Sequence, residues 1–350
     1  MASSRTARRG PTSKDVARRA GVSQSTVSYV MSGKRSISAD TLRRVEDAMA
    51  ALDYQPHVGA RSLAGSRTGT IAVVMPFVSA VGAQSLMAFV EEFVVAARQH
   101  GSDVLLVTAE EGVEGLRRLT GGSVCDAALV MQVASHDERA EAARGLDFPV
   151  MFIGVPEDPA GLDCIDFDFA AGGRLLVDEL VALGNRRISV LGWSAELVAQ
   201  GYNYIDRFSR GVHEAAAAHR VPVDWHRAPV EGGFLETLEQ GLHRDGERTG
   251  VVLTSAVPAA MRALAAQGMH TGGDVDVVAL CTEAEAEEQA VPLTAVSTQP
   301  RDVSRRATER IFALLDGSAT PGERLELVDA GLVRRRSTRR SAPGPASDAR

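Results

Sequence analysis

Three side chains near the amino terminus could read the bases of DNA: Gln24, Ser25 and Tyr29. Val27 and Val30 lie among them at helical spacing, so a helix here would bury the valines and expose the polar groups. Amide and hydroxyl groups on the first turns of an exposed helix can meet base edges in the major groove. This pattern is typical of a recognition helix.

Such a helix needs a partner that holds it in place. A first helix is predicted from Thr12, whose hydroxyl can cap it, to about Ala20. Gly21 supplies the left-handed turn residue and Ser23 caps the second helix. We therefore predict a helix–turn–helix with one small core, formed by Val16, Ala17, Ala20, Val22, Val27 and Val30.

A third helix is predicted from Ala39, after a Ser38 cap, to about Leu52. Its apolar residues share one face that should pack on the first two helices, namely Leu42, Val45, Met49 and Leu52. Pro56 then ends the helical domain. Residues 12–56 are thus predicted to form an all-α domain, preceded by a disordered basic segment at residues 1–11.

Charge is distributed unevenly along the 350 residues, whose formal net charge is -7. Residues 1–70 carry 12 Lys/Arg against 5 Asp/Glu, whereas residues 71–333 carry 20 against 39. A basic balance on a domain with a DNA-reading helix favours nucleic acid as its partner. Residues 334–350, which are rich in Arg, Ser, Pro and Ala, are predicted to be a disordered, solvated tail.

Between the helical domain and the rest of the chain lies a short segment, residues 57–69. It is long enough for two helical turns, well short of the roughly 12–15 residues that a stable isolated helix needs. We expect it to fold only when something holds it. Leu63 has no core to join within this Gly-, Ser- and Arg-rich linker.

The motifs from Thr12 to Leu63 resemble one known family. Thr-x-x-Asp-Val-Ala-x-x-Ala-Gly-Val-Ser-x-x-Thr-Val-Ser is followed by Tyr-x-Pro at Tyr54–Pro56 and by Ala-Arg-Ser-Leu at Ala60–Leu63. This run is similar to the DNA-binding module of the lac repressor family (LacI/GalR transcriptional regulators). The resemblance implies that two hinge segments fold on the operator and that Leu63, with Ala60 beside it, enters the minor groove.

The resemblance also assigns contacts within the helical domain. It implies that Gln24, Ser25 and Tyr29 read bases, although Tyr29 stands where Arg is most common, so the operator preference should differ. A second set matches positions that contact phosphates and so fix register: Ser23, Thr26, Ser28, Ser32, Ser38, Thr41 and His57.

From Thr70 onward, short apolar strands alternate with helical stretches, which predicts parallel β–α units. The predicted strands are Thr70–Met75, Asp103–Val107, Ala127–Met131, Val150–Ile153, Arg187–Leu191, Gly250–Leu253 and Val275–Leu280. The resemblance implies that residues 70–333 form a bilobed, periplasmic-binding-protein-like α/β core for effector binding and dimerisation. The Gly pairs at 121–122, 172–173 and 272–273 are interpreted as turns.

A ligand in such a fold binds between the lobes, beyond the carboxyl ends of the strands. The candidate residues there are Phe77, Ser79, Gln132, Trp193, Arg207, Ser255 and Thr282, each of which could instead serve ordinary packing. Two effector-site signatures of the family are absent, since Ser255-Ala256 replaces Asn-Asp and Leu280-Cys281-Thr282 replaces Gly-Tyr-Asp. Arg207 resembles the ligand-gripping arginine, although Gly211 follows it one residue late.

Other classes of protein fit less well. Catalytic, metal-binding and phosphate-binding motifs are absent from the sequence, so neither an enzyme nor a cofactor is expected. Cys125, Cys164 and Cys281 are scattered, as in a reducing cytoplasm. With no secretory signal and no apolar run of about 18 residues, a cytoplasmic location is expected.

We predict a bacterial repressor that binds a pseudo-palindromic operator as a C2 homodimer, without the leucine heptad of tetrameric relatives. A small molecule between the lobes, such as a sugar, a nucleoside or a related metabolite, would modulate its DNA affinity. Two alternatives stay open. One is an effector-independent or protein-controlled repressor of the same family, and the other is a binding protein of the transport type.

Overall fold

The computed structural model describes residues 11–32, 37–54, 67–76, 80–121, 124–229 and 249–339. The predicted hinge helix and the two ends of the chain lie outside these ranges, apart from Pro11, residues 67–69 and residues 334–339. The limits predicted for the hinge and for the amino-terminal segment therefore stay predictions.

The amino-terminal part is a three-helix unit, here called the headpiece, formed by α1 (Ser13–Ala20), α2 (Gln24–Ser32) and α3 (Ala39–Ala51). Its core contains the predicted Val16, Ala17, Ala20 and Val27, with Val22 and Val30 partly buried against them. The helices predicted from capping and periodicity are thus present.

One residue of α3 was placed wrongly. Leu42 was expected in the core but is 38% exposed. The buried stripe of α3 instead consists of Val45 and Ala48, with Met49 and Leu52 packed beside them. These four residues follow the i, i+3, i+4, i+7 pattern of one helix face, and Leu42 lies one turn before them, in the first turn of α3.

The first lobe is a six-stranded parallel sheet in the order β11-β5-β4-β3-β1-β2. Its strands and helices are β1 (Thr70–Met75), α4 (Ala80–Gln99), β2 (Asp103–Thr108), α5 (Gly112–Gly121), β3 (Ala127–Met131), α6 (Glu138–Ala143), β4 (Val150–Ile153), β5 (Asp163–Phe167), α12 (Pro300–Leu315) and β11 (Leu325–Val328). A 3-10 turn, Ala109–Glu111, precedes α5.

The second lobe repeats this plan with the order β12-β10-β9-β8-β6-β7, where only the β12–β10 pair is antiparallel among the described strands. Its elements are α7 (Phe169–Ala182), β6 (Arg187–Gly192), α8 (Ala195–Ala199), α9 (Asn203–His219), β7 (Val223–Arg227), β8 (Thr249–Leu253), α10 (Val257–Ala266), β9 (Asp276–Cys281), α11 (Glu283–Glu287), β10 (Thr294–Ser297) and β12 (Leu332–Val333). Two sheets, the first parallel and the second parallel except for β12, confirm the predicted bilobed α/β core.

The chain passes between the lobes three times: from β5 into α7, from β10 into α12, and from β11 into β12. Each lobe is therefore built from separate stretches of the sequence. The carboxyl ends of β3, β5 and β6 meet near these crossings, which is where the candidate cleft residues Gln132 and Trp193 follow their strands.

The interpretation of Gly172-Gly173 as a turn is wrong, since both residues lie inside α7. They allow α7 to pack closely on α9. A Cβ atom on Gly173 would lie 2.7 Å from the Phe208 carbonyl oxygen, and one on Gly211 would lie 2.0 Å from the Ala170 carbonyl oxygen. Paired glycines within a helix here mark a close helix crossing and not a chain reversal.

The predicted disordered tail begins too early, because residues 334–339 pack on the second lobe. Arg339 pairs with Asp276, which is 1% exposed and also accepts a hydrogen bond from Asn185 Nδ2 at 2.9 Å. The Ser337 hydroxyl donates to the Val277 carbonyl at 2.6 Å and accepts from Thr294 N–H at 2.8 Å. Buried polar groups that need these partners hold the segment in place.

Ending the chain after Val333 should destabilise the second lobe, since it removes the Arg339 partner of buried Asp276 and the bonds made by Ser337. We expect the free energy of unfolding in urea to fall by about 3 kcal/mol or more. A chain ending after Arg339 is the matched control and should unfold like the full chain. Equal stability of the two truncated chains would contradict the stabilising role of residues 334–339.

Candidate nucleic-acid interface and interlobe cleft

Hydrogen bonds at the ends of α1 and α2 fix the helix–turn–helix. The Asp15 carboxylate accepts from the Thr12 N–H at 2.9 Å and from the Thr12 hydroxyl at 2.6 Å, at the start of α1. Gly21 takes the left-handed conformation, with φ of 67°. The Val22 N–H then donates to the Ala17 carbonyl at 3.1 Å, which closes the turn in the manner of a helix C-cap.

Ser23 is the hydrogen-bonding centre of the turn. Its Oγ accepts from the Thr26 N–H at 3.0 Å, as a helix N-cap should. The hydroxyls of Ser25 and Thr26 each lie 2.8 Å from the same Oγ atom. Three hydroxyls predicted to touch DNA therefore already form one network, which orients them before any DNA arrives.

The predicted base-reading side chains lie on the outer face of α2. Gln24 and Ser25 are exposed, Tyr29 is 37% exposed and Val27 is fully buried on the opposite side. Gln24 Nε2 donates to the Ser13 hydroxyl at 3.0 Å, so its amide lies beside the start of α1. The arrangement can present amide, hydroxyl and phenol groups together to a groove.

Of the predicted phosphate contacts, Ser28 and Ser38 are exposed and Thr41 is partly exposed. Ser38 Oγ accepts from the Thr41 N–H at 3.3 Å and so caps α3. Arg44 of α3 donates to the Ala20 carbonyl at 3.3 Å and ties α3 to the end of α1.

Several predicted contacts lie outside the described residues or have side chains that are not described: Ser32, His57, Ala60, Leu63, Phe77 and Ser79. Their roles stay predictions.

In the cleft, Trp193 belongs to an aromatic cluster, defined as Phe169, Trp193, Tyr202, Tyr204 and Phe208. Trp193 packs edge-on against Phe208 and Tyr204, with ring centroids 5.4 and 5.5 Å apart. Tyr204 also lies 5.1 Å from Phe169 and 5.9 Å from Tyr202. Trp193, Phe208 and Phe169 are buried. These five rings therefore pack against one another just beyond the end of β6.

Gln132, at the end of β3, connects the first lobe to this cluster. Its side chain forms a hydrogen bond with Tyr204, whose pKa is nevertheless raised because burial disfavours the phenolate. Gln132 has φ of 54°, which is uncommon for a residue with a side chain. Arg139 donates to its carbonyl at 2.8 Å and is itself paired with Asp137 at 2.7 Å, so the neighbouring structure enforces that conformation.

Backbone bonds join the two lobes beside the cluster. The Ser135 N–H donates to the Gly201 carbonyl at 2.9 Å, and the Asn203 N–H donates to the Val133 carbonyl at 3.1 Å. The loop after β3 and the start of α9 therefore pair like two short antiparallel strands, with Ala134 opposite Tyr202. This contact holds the lobes together on one side of the cleft.

Arg207 does not reach into an open cleft. Its Nη1 donates to Asp166 at 2.8 Å and its Nη2 donates to the Phe167 carbonyl at 3.2 Å. The Arg207 and Asp166 side chains are only 8% and 7% exposed. Because Asp166 lies on β5 and Arg207 on α9, this buried ion pair joins the two lobes. The shift of Gly211 noted in the sequence is consistent with this inward orientation.

Burial raises the pKa of Asp166 to about 6, although the Arg207 charge opposes the rise. The folded protein therefore holds this proton more tightly than the unfolded chain, whose aspartates titrate near pH 3.9. The contribution of Asp166 to stability is greatest below that pH and is lost as the pH rises through about 6. Ionising this carboxyl costs free energy, and Arg207 limits the cost.

The other two described candidates, Ser255 and Thr282, also form hydrogen bonds within the second lobe. Ser255 donates to the Gly192 carbonyl at 3.2 Å, so its hydroxyl links the segment after β8 to the end of β6. Thr282 caps α11 by accepting from the Glu285 N–H at 3.2 Å. Thr282 also lines a cavity of about 710 Å³ near the lobe crossings, together with charged side chains that include Glu91, Glu92, Arg301 and Asp329. The described candidates thus have partners within the protein, and their role in ligand binding stays a prediction.

Sequence reasoning missed Asp166, Tyr202 and Tyr204. Tyr202 and Tyr204 are two of only four tyrosines in the chain and follow Trp193 closely, which was a usable compositional signal. Asp166 offered a weaker one, as one of two acidic residues in the short strand β5, the other being Asp163. Neither signal indicates which residues contact each other across the lobes, because those contacts depend on the tertiary structure.

Two features are absent from the described part of the chain. None of its helices combines the length and apolar character that crossing a bilayer requires. Among those same residues, no three His, Cys, Asp or Glu side chains converge in a way that would hold a metal ion.

Replacing one member of the Asp166–Arg207 pair should destabilise the core far more than replacing both. Arg207→Met leaves a buried carboxylate unpaired, which should cost about 3–5 kcal/mol at pH 8, whereas Asp166→Leu/Arg207→Met should cost much less. The free energy of unfolding of each variant in urea measures these costs. The loss in Arg207→Met should shrink at pH 5, where Asp166 can take up a proton; additive single losses would argue against a coupled pair.

Two family models match the chain: "Bacterial regulatory proteins, lacI family" over residues 12–57 and "Periplasmic binding protein-like domain" over residues 177–338. The lactose operon repressor of Escherichia coli (strain K12) is 28% identical over 342 residues, covering 93% of this chain and 89% of that protein. The HTH-type transcriptional regulator CelR of Thermobifida fusca is 29% identical over 350 residues, covering 93% and 98%.

Solved structures agree with this match. The lac repressor dimer bound to operator and the anti-inducer ONPF superposes with a TM-score of 0.77 at 25% identity, covering 95% of this chain and 100% of that chain. The CelR–cellobiose complex gives 0.62 at 25% identity, covering 93% and 99%. With a lacI-type DNA-binding domain followed by a periplasmic-binding-protein-like core, the chain belongs to the LacI/GalR family of transcriptional regulators.

Proposed function

We propose that the protein is a cytoplasmic repressor that binds a pseudo-palindromic operator as a homodimer. The observation that carries this proposal is the outer face of α2, where Gln24, Ser25 and Tyr29 are exposed opposite a buried Val27. An α-helix with its polar side chains outward fits the major groove, and two copies related by a twofold axis would read two half-sites.

Base readout and phosphate contacts divide between two sets of residues in this proposal. Gln24, Ser25 and Tyr29 read base edges. The hydroxyls around Ser23, together with Ser28, Ser32, Ser38, Thr41 and His57, contact phosphates and set the register. Tyr29 offers one hydroxyl and a ring where a guanidinium would grip guanine, so it favours a different base from that of arginine-bearing relatives.

The hinge contributes the second half of recognition. Residues 57–69 fold when two copies meet on the operator, and Leu63, flanked by Ala60, enters the minor groove. An apolar wedge there unstacks a flexible base step and bends the DNA, which increases the contacted surface.

An exposed apolar face on the first lobe supports the homodimer. Met87, Val94 and Val95 on α4 are 44%, 36% and 53% exposed, and Leu106 on neighbouring β2 is 41% exposed. Their spacing along α4 places the first three on one side of the helix. A cluster of exposed apolar side chains on a folded lobe is typical of a protein interface.

The complexes of relatives with ONPF and cellobiose support a small molecule, of sugar or related type, that binds between the lobes and modulates DNA affinity. One observation favours the alternative, a repressor that needs no effector. Trp193 packs against Tyr204 and Arg207 pairs with buried Asp166, so two of the predicted effector contacts already have partners within the chain. A screen of sugars and nucleosides by thermal shift separates the two, since a ligand at 100 times its dissociation constant adds about 2.7 kcal/mol.

Footprinting on the DNA upstream of the protein's own gene should show one protected, pseudo-palindromic region. On that region Gln24→Ala should weaken specific binding by about 1–3 kcal/mol, because a base contact is lost. Leu63→Ala should also weaken specific binding more than non-specific binding, since the bend is lost.

Glu46→Gln, on the exposed side of α3, serves as the control and should bind the operator like the original protein. Absence of any protected region at low salt, there and on operators of relatives, would remove the proposal. Equal loss of specific and non-specific binding in Leu63→Ala would remove the wedge role.

Val95→Glu should convert the dimer to a monomer, because it buries a charge in the proposed apolar interface. Sedimentation velocity at micromolar concentration measures the change. Leu325→Glu is the matched control, since Leu325 is 55% exposed on β11 at the opposite edge of the same sheet. If Val95→Glu remains a dimer and Leu325→Glu becomes a monomer, the interface lies at the β11 edge and the proposed interface on α4 is wrong.

A further inference from the structure

Tyr204 lies where the two lobes meet. Its ring is surrounded by Phe169, Trp193 and Tyr202, with centroids 5.1, 5.5 and 5.9 Å away. Across the junction, the Gln132 side chain at the end of β3 forms a hydrogen bond with the Tyr204 hydroxyl. One side chain therefore connects aromatic rings of the second lobe to an amide of the first.

The position of this side chain is that of a ligand. In open α/β sheets a small molecule binds beyond the carboxyl ends of the strands, mostly against apolar walls and with a few oriented polar groups. The phenol of Tyr204 meets this description, since aromatic rings surround it and one amide from the other lobe binds its hydroxyl. It makes the contacts that a bound aromatic alcohol would make.

Further contacts within the chain also hold the two lobes together at this junction. Ser135 and Val133 pair with the backbone of Gly201 and Asn203, and Arg207 pairs with Asp166 in a buried position. Each contact joins the first lobe to α9 or to the loop before it. Since Tyr204 also lies on α9, all of them fix the same helix against the same lobe.

We propose that Tyr204 is an intramolecular ligand that occupies the interlobe cleft and holds the lobes in the arrangement that binds DNA. This proposal rests on the proposed function of the protein as a repressor. A repressor that its effector releases binds the operator in the resting state, and the arrangement held by Tyr204 requires no external molecule. A small molecule that enters the cleft has to displace this ring, so it would release the DNA.

The test replaces the ring and then supplies it from solution. Tyr204→Ala should bind the operator about tenfold more weakly, because a smaller fraction of molecules has the competent lobe arrangement. Addition of p-cresol, the side-chain analogue of tyrosine, should restore most of that affinity. In the absence of DNA, p-cresol should raise the unfolding temperature of Tyr204→Ala by about 2–4 °C and leave the original protein unchanged.

Phe152→Ala is the matched control, since Phe152 is fully buried within the first lobe and away from the junction. Its operator affinity should not respond to p-cresol. Operator affinity of Tyr204→Ala equal to that of the original protein overturns the proposal. So does a loss that p-cresol fails to reverse, or the absence of any thermal shift.

A milder pair of variants covers the case in which Tyr204→Ala does not fold. Tyr204→Phe and Gln132→Leu each remove the hydrogen bond across the junction and should weaken operator binding a few-fold. The double variant should be no weaker than either one, because both remove the same contact. Additive losses overturn the proposal. If the original protein protects no DNA, the repressor function fails, while the thermal shift still tests whether Tyr204 behaves as a ligand.

Discussion

The arrangement of the two lobes depends on the charge that Arg207 and Asp166 bury between them. Two ions removed from water are costly, and they are tolerated only when each neutralises the other in good geometry. The 2.8 Å contact therefore allows few relative positions of β5 and α9. The backbone pairing of Ser135 with Gly201 and the packing of the aromatic cluster follow from that fixed distance, because all three involve the same end of α9.

The headpiece shows how much a local sequence pattern can predict. Caps, the Gly21 turn and the buried valines depend on residues close in sequence, so α1, α2 and the outward position of Gln24 and Tyr29 were predictable. Leu42 was misplaced because a helical stripe can begin one turn earlier or later without any change in period. Strands such as β1, β3 and β4, which are apolar and central, were also found within a residue of their ends.

The cleft could not be predicted to the same degree. Predicting that a ligand site lies beyond the strand ends follows from the fold, yet which side chains fill that space depends on how two distant stretches meet. Arg207 was identified from its resemblance to a ligand-binding residue, but its partner Asp166 lies 41 positions earlier on another lobe. Likewise, Gly173 and Gly211 permit a close helix crossing that nothing in their immediate neighbours indicates.

The segment from Arg334 to Arg339 has a consequence for how the protein is made. The headpiece is contiguous, so it can fold while the ribosome is still adding the core. Neither lobe has this option: the first lacks β11 until residue 328 has been added, and the second lacks the partner of Asp276 until residue 339 has emerged. During synthesis a finished DNA-binding module is therefore attached to an unfinished core, which is completed only when the last residues of the second lobe have been added.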